Sequence, residues 1–196
     1  MIVKICGITG VDDAALARDA GADWIGINLW PGSKRFVEPA RAQAIADAAV
    51  GLVRVAVLVN ATAAVVEQAL AWADLLQFHG DETPEACAPY AGRFMRALPF
   101  TAIDTLDRYP TDLFLLDTPT AGYGGSGRTY DFGVATAAAR RWRVFVAGGL
   151  TPENVGAAVR AVRPFGVDVA SGVEAAPGRK DPDKLRRFVA AAKEMT

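Results

Sequence analysis

Two side chains able to move protons stand at the ends of short apolar runs. Cys6 closes IVKI, and Asp117 closes LFLL. A thiolate serves as a base when its pKa falls below the free value of about 8.5. A carboxylic acid serves as a proton donor when an apolar setting raises its pKa. Each residue also has a plainer reading. Free cysteine is commonly a small buried hydrophobe, and Asp117 is placed to cap a turn through Thr118. A carboxylate at the end of residues 113–116, however, gains nothing from packing and costs desolvation. Lys4 lies two residues before Cys6, on the same face of an extended strand, where its ammonium favours the thiolate unless a partner neutralises it. Two glycine turns complete the set. Gly148-Gly149 and Ser171-Gly172 expose backbone N–H groups to an anion, or simply make tight turns. Their occurrence on consecutive strands favours a phosphate site.

These residues need a scaffold that brings distant strand ends together. Candidate strands cover residues 2–6, 24–28, 53–59, 75–78, 94–98, 113–117, 144–147 and 167–170. Amphipathic, alanine-rich stretches lie between them, at residues 12–20, 39–48, 63–73 and 152–162, and the chain closes with residues 182–193. Strict strand–helix alternation implies a parallel sheet, and eight strands close a (β/α)8 TIM barrel in one α/β domain. An open doubly wound sheet is the rival, but no G-x-G-x-x-G follows the first strand. Thr151-Pro152 and Asp181-Pro182 read as helix starts, a capping side chain before a proline. The stretch from Thr118 to Asp131 carries four glycines (Gly122, Gly124, Gly125, Gly127) and reads as a mobile lid.

The active face of such a barrel is the rim of strand C-termini. There the sequence sets Cys6-Gly7, Pro31-Gly32-Ser33-Lys34-Arg35, Asn60, His79-Gly80-Asp81, Asp117 and the two glycine turns; the opposite rim offers no comparable cluster.

Composition narrows the function classes. The chain has 196 residues, 52% hydrophobic and 22% charged, which suits one packed domain near the short limit for this barrel. A net charge of -1 gives no reason to expect nucleic acid or a membrane surface as partner. No run is long enough to span a bilayer, and MIVKICGITG lacks the layout of a signal peptide, so the cytoplasm is the expected location. The two cysteines, Cys6 and Cys87, read as free thiols. One histidine, His79, excludes a histidine-rich metal site, and neither metal nor cofactor is expected.

The segments KICGIT (residues 4–9), GADWIGINLWPGSKRFV (21–37), LLQFHGDE (75–82), LLDT…GGSGRTYDF (115–132), AGGLTPENV (147–155) and VDVASGVEAAPGRKD (167–181) closely resemble the phosphoribosylanthranilate isomerase family. They occur in the family's order and run from the first strand to the last helix. The resemblance implies an aldose–ketose isomerase of tryptophan biosynthesis, which carries N-(5'-phosphoribosyl)anthranilate through an Amadori rearrangement to the 1-deoxyribulose isomer. By motif it makes Cys6 the general base at the second ribose carbon and Asp117 the general acid at the ring oxygen. It sets Arg35 of SKRFV on the anthranilate carboxylate, a task suited to a guanidinium that binds both oxygens. The expected partner is this small molecule, with the chain as monomer or homodimer.

Asp168 sits in the apolar run VDVA. It either pairs with Lys4 inside the barrel or touches the anthranilate nitrogen. His79 belongs to the family's recognition motif and, with Gln77, reads as a polar barrel residue supporting the site. Lys34 and Arg128 read as solvated loop charges, Arg128 with a possible pull on phosphate. INLW and ASG stand where aromatic-rich and SSG runs are common in the family, so the anthranilate pocket differs in shape and one hydroxyl is lost at Ala170. Three other functions fit less well. The histidine-pathway isomerase uses an aspartate where Cys6 stands. A non-catalytic phosphosugar-binding barrel needs neither Cys6 nor Asp117. Indole-glycerol-phosphate synthase relies on catalytic lysines and usually carries an extra N-terminal segment.

Overall fold

The computed structural model describes residues 1–117 and 132–194. The lid reading of the glycine-rich stretch, Arg128 and the Thr118 cap fall outside these residues. Eight strands, β1 (Ile2–Cys6), β2 (Trp24–Asn28), β3 (Val53–Leu58), β4 (Leu75–Phe78), β5 (Phe94–Pro99), β6 (Leu113–Asp117), β7 (Arg143–Ala147) and β8 (Gly166–Val169), close in sequence order into a parallel barrel. The closing contact is β1 against β8, with Lys4 beside Asp168.

Each strand alternates between two apolar environments. In β6, Phe114 and Leu116 pack outward under the helices, while Leu113 and Leu115 join the interior of the barrel. The same alternation in β1 sends Val3 and Ile5 outward and turns Lys4 and Cys6 inward. Trp24 and Phe145, with ring centroids 4.9 Å apart, fill the interior with Val55, Met95 and Leu115.

The outer layer contains α1 (Val11–Asp19), α2 (Pro39–Ala48), α3 (Ala63–Leu70), α4 (Pro84–Cys87), α5 (Phe132–Ala139), α6 (Val155–Val162) and α7 (Pro182–Lys193). Alternation with full α-helices is incomplete. A short α4 runs into a 3-10 turn at Ala88–Tyr90, and β5 is followed by 3-10 structure over Phe100–Arg108. The strand after α6 leads into a 3-10 turn, Ser171–Val173, and a small hairpin, β9 (Glu174–Ala176) and β10 (Arg179–Lys180), that the sequence pattern did not anticipate. The last helix starts as expected, the Asp181 carboxylate accepting from the Asp183 and Lys184 N–H groups at 3.0 Å each. The Thr151-Pro152 start does not hold. Asn154 precedes α6 and brackets the turn, its Oδ1 accepting from Thr151 N–H at 2.7 Å and its Nδ2 donating to the Gly149 carbonyl at 2.9 Å. Thr151 Oγ1 instead serves Glu153 N–H at 3.2 Å.

The rim of strand N-termini also corrects the sequence reading. Asp23, Asp74 and Asp112 each precede a strand and pair with Lys193, Arg54 and Arg143. Asp23 and Asp74 also accept the N–H groups of Val3 and Arg54 at 2.8 Å, tying each strand start to its neighbour. In this fold that rim serves stability. No helix among the described residues is long and apolar enough to cross a membrane.

Candidate active site

Strand alternation turns Cys6 and Asp117 toward the mouth of the barrel. They are not diametrically opposite. Going round the wall, β6, β7, β8 and β1 are successive neighbours, so acid and thiol stand three strands apart, with both glycine turns between them. At about 4.8 Å per strand this is roughly 14 Å of wall, a span narrowed by the two inward side chains. Asp117 has 38% of its side chain exposed. It faces a cleft of about 940 Å³ lined also by Trp30, Phe36, Asn60, His79 and Pro99. Leu29 and Trp30 of the unusual INLW run both line this cleft.

Cys6 is half-buried. Its Sγ lies beside Lys4 Nζ over Gly26, where a Cβ would stand 2.9 Å from the sulfur and 3.0 Å from the nitrogen. Lys4 is wholly buried and its Nζ donates to Asp168 Oδ1 at 2.6 Å. The structure therefore realises the pairing reading of Asp168, whose side chain remains 10% exposed. Burial works against the Lys4 charge, but Asp168 and then Cys6 outweigh it and raise its pKa above the ordinary 10.5. Lys4 favours the thiolate, as read from the sequence, but its partner Asp168 and burial oppose that pull. Burial pushes the thiol above its ordinary 9.0; Lys4 pulls it down, and Asp168 offsets part of that pull. In the free protein at neutral pH, Cys6 is a thiol.

His79 is more than a barrel filler. Its Nε2 lies 3.9 Å from Asp117 Oδ2, and its Nδ1 lies 3.0 Å from Gln77 Nε2. Burial pulls the imidazole down to about 4, so it is neutral at pH 7.

Gly148 and Gly149 have φ of 87° and 63°, a left-handed conformation that residues with side chains disfavour. Gly172 is fixed by packing: a Cβ there would sit 1.9 Å from the Leu150 carbonyl oxygen. Ser171, beside it, is exposed. Both turns thus lie on the same rim, on neighbouring strands.

Arg35 is presented by a loop that Asn28 shapes. Asn28 Oδ1 accepts from Trp30 N–H at 2.9 Å, and Ser33 Oγ accepts from both Asn28 Nδ2 and Arg35 N–H. The Arg35 stem crosses Gly7, where a Cβ would meet its Cδ at 2.3 Å. Its guanidinium is already engaged, Nε to Glu174 Oε1 at 2.7 Å and Nη2 to Oε2 at 2.6 Å. Sequence reasoning gave Glu174, Lys180 and Gly26 no role, though all three lie inside the quoted motifs. The signal available was a glutamate followed six residues later by a lysine. Lys34 is exposed, as expected of a loop charge. Among the described residues no group of three or more His, Cys, Asp or Glu is arranged to hold a metal. The site thus offers a partly exposed carboxyl group beside a neutral imidazole, a thiol beside an ammonium, and two glycine turns on the strands between them.

A family profile described as N-(5'-phosphoribosyl)anthranilate (PRA) isomerase matches residues 3–191. The N-(5'-phosphoribosyl)anthranilate isomerase of Pelobacter propionicus is 43% identical, over 98% of this chain and 95% of that one. The crystal structure of phosphoribosyl anthranilate isomerase from Thermotoga maritima superposes with a TM-score of 0.89 at 38% identity, covering 99% of this chain and 100% of that one. A phosphoribosyl anthranilate isomerase in complex with reduced 1-(o-carboxyphenylamino)-1-deoxyribulose 5-phosphate superposes with a TM-score of 0.84 at 35% identity, again over 99% and 100%.

Proposed function

The chain belongs to the N-(5'-phosphoribosyl)anthranilate isomerase family, and on that premise we propose that Cys6 and Asp117 carry the protons of its isomerisation. The reaction converts N-(5'-phosphoribosyl)anthranilate to 1-(2-carboxyphenylamino)-1-deoxyribulose 5-phosphate, in tryptophan biosynthesis. Asp117, as the acid, gives a proton to the ribose ring oxygen. The C–O bond breaks while the anthranilate nitrogen lone pair forms a C=N cation. Cys6 then takes the proton from the second carbon. That electron pair forms a C=C bond to the first carbon and returns the C=N pair to nitrogen. The resulting enol gains a proton at the first carbon and loses its hydroxyl proton to give the ketone.

The observation that carries this reading is the order of groups around the rim: carboxyl on β6, glycine turns after β7 and β8, thiol on β1. A ribose phosphate held by Gly148, Gly149, Ser171 and Gly172 lies between Asp117 and Cys6. A C=N cation beside the sulfur supplies the positive charge that lets the resting thiol ionise, its proton leaving to solvent before the thiolate takes the one on the second carbon. His79 stands 3.9 Å from Asp117 as a neutral polar neighbour of the acid. Arg35 binds the anthranilate carboxylate. Asp168 serves by holding Lys4 and through its small exposed edge.

The test follows the loss of phosphoribosylanthranilate fluorescence with purified protein and no added metal. Cys6→Ala and Asp117→Asn are each expected to lower kcat by about a hundredfold or more, the scale of acid–base groups, with the reduced product analogue still bound. Near-wild-type turnover in either variant removes that residue from the mechanism.

A further inference from the structure

Behind Arg35 lies an ionic network that no part of the proton chemistry uses. Glu174 starts the unanticipated hairpin and is buried. It holds Arg35 through two hydrogen bonds of 2.7 and 2.6 Å on the Nε–Nη2 edge. Its Oε1 also accepts from Lys180 Nζ at 3.1 Å and from Gly178 N–H at 3.3 Å. Lys180 ends the same hairpin with its side chain wholly buried. Its Nζ reaches three acceptors, the carbonyls of Cys6 at 2.6 Å and Ala170 at 3.3 Å together with Glu174. Three acceptors match the three hydrogens of an ammonium.

The charge sum is informative. Glu174 and Lys180 cancel, leaving the +1 of Arg35. An isolated Arg–Glu pair is neutral and offers a substrate carboxylate little. With Lys180 behind it, Glu174 fixes one edge of the guanidinium without consuming its charge. The other edge, Nη1 with the second Nη2 hydrogen, carries no partner among the described residues and can bind a carboxylate through two parallel hydrogen bonds. The Arg35 side chain is 23% exposed, against 5% for Glu174, so only the arginine can meet a ligand.

We infer that Glu174 and Lys180 are positioning residues that turn Arg35 into a preorganised, singly positive receptor for the ring carboxylate and so set the preference for a carboxylated aryl amine. This rests on the assignment of Arg35 in the proposed function. The same lysine grips the Cys6 carbonyl, so the hairpin also joins the carboxylate receptor to the end of β1.

The experiment compares two substrates, phosphoribosylanthranilate and N-(5'-phosphoribosyl)aniline, made by condensing ribose 5-phosphate with aniline. The readout is the ratio of their kcat/KM values, in which damage to the proton chemistry cancels. Arg35→Ala is the reference and is expected to abolish the preference for the carboxylated substrate. Glu174→Gln is expected to reduce the ratio about two- to tenfold, the cost of ordering one long side chain on binding. The loss should appear mainly in KM for phosphoribosylanthranilate, with Glu174→Asp recovering part of it. Lys180→Met, buried and out of reach of any substrate, is expected to reduce the ratio as well. Should either single variant fail to fold, Glu174→Gln with Lys180→Met removes the buried charge pair together and is expected to reduce the ratio too. An unchanged ratio in the Glu174 and Lys180 variants, with the preference lost in Arg35→Ala, overturns the inference alone. A preference retained in Arg35→Ala overturns the assignment of Arg35 itself.

Discussion

Replacing Gly26 with alanine tests whether the space between thiol and ammonium matters. The backbone of Gly26 is not in the left-handed region, so alanine meets no conformational penalty there, and the effect is steric. The added carbon would lie 2.9 Å from Cys6 Sγ, 3.0 Å from Lys4 Nζ and 3.3 Å from Cys6 Cα. Comfortable contact between non-bonded atoms is about 3.5–4.0 Å, so sulfur and ammonium must each retreat by roughly 0.5–1 Å. Lys4 is held by the 2.6 Å bond to Asp168, and β1 is held by β2 and β8, so little of the movement is free. Overpacking of this kind costs about 1–3 kcal/mol. At about 2–4 °C per kcal/mol for a chain of this size, the melting temperature should fall by roughly 2–12 °C. Catalysis should suffer separately, because misplacing a reacting group by about 1 Å costs on the order of a hundredfold. A shift of half that to the whole of it predicts a kcat at least about tenfold lower, with the affinity for the reduced product analogue retained. Calorimetry and the fluorescence assay measure the two effects. Unchanged melting temperature and kcat would refute both the close packing of Cys6, Lys4 and Gly26 and the dependence of proton transfer on it.

His79 is the sole histidine of the chain, so its NMR titration is unambiguous. The midpoint is expected near 4, because the surrounding residues desolvate the ring although 37% of its side chain is exposed; a midpoint near 6.5 contradicts that desolvation. Because the folded pKa lies below the unfolded value, the stabilisation from His79 is present above pH 6.5 and is lost as pH falls toward 4. His79→Gln should remove that part of the acid sensitivity, seen as a flatter melting temperature between pH 7 and pH 4. Lys4→Met strands Asp168 in the barrel and is expected to cost about 3–5 kcal/mol, most of it restored by adding Asp168→Leu; denaturant melts that give the single variant wild-type stability would reject the buried pair. At the other rim, Asp74→Ala removes the bonds to Arg54 and its N–H. A loss of about 1 kcal/mol with kcat unchanged is expected, and a large fall in kcat would mean that this rim is not purely structural.

The eight strands were legible because each is a short β-branched run between helical stretches, and because an inward and an outward apolar face give a continuous hydrophobic signal. Their observed ends lie within one residue of the sequence reading. Cys6 and Asp117 stood out for a related reason: strand periodicity fixes the face and the strand end fixes the rim, both local quantities. The start of α6 misled, since Thr151-Pro152 carries a capping pattern while the helix starts at Val155, after a turn that the Asn154 side chain ties to Thr151 and Gly149. The helices after β4 and β5 were equally opaque, because sequence pattern does not separate a short 3-10 stretch from a helix.

Which charges share a space is settled by how the barrel closes. Asp168 and Lys4 are 164 residues apart, and Arg35 and Glu174 are 139 apart. Closing β8 onto β1 makes both pairs neighbours. That closure also gives Lys4 the partner Asp168, whose charge offsets part of the pull of Lys4 on Cys6, and buries the thiol enough to raise its pKa. Strands, rim and the residue types standing there follow from local sequence alone. The electrostatics depend on distances and on exclusion of water, and these exist only once the barrel is shut.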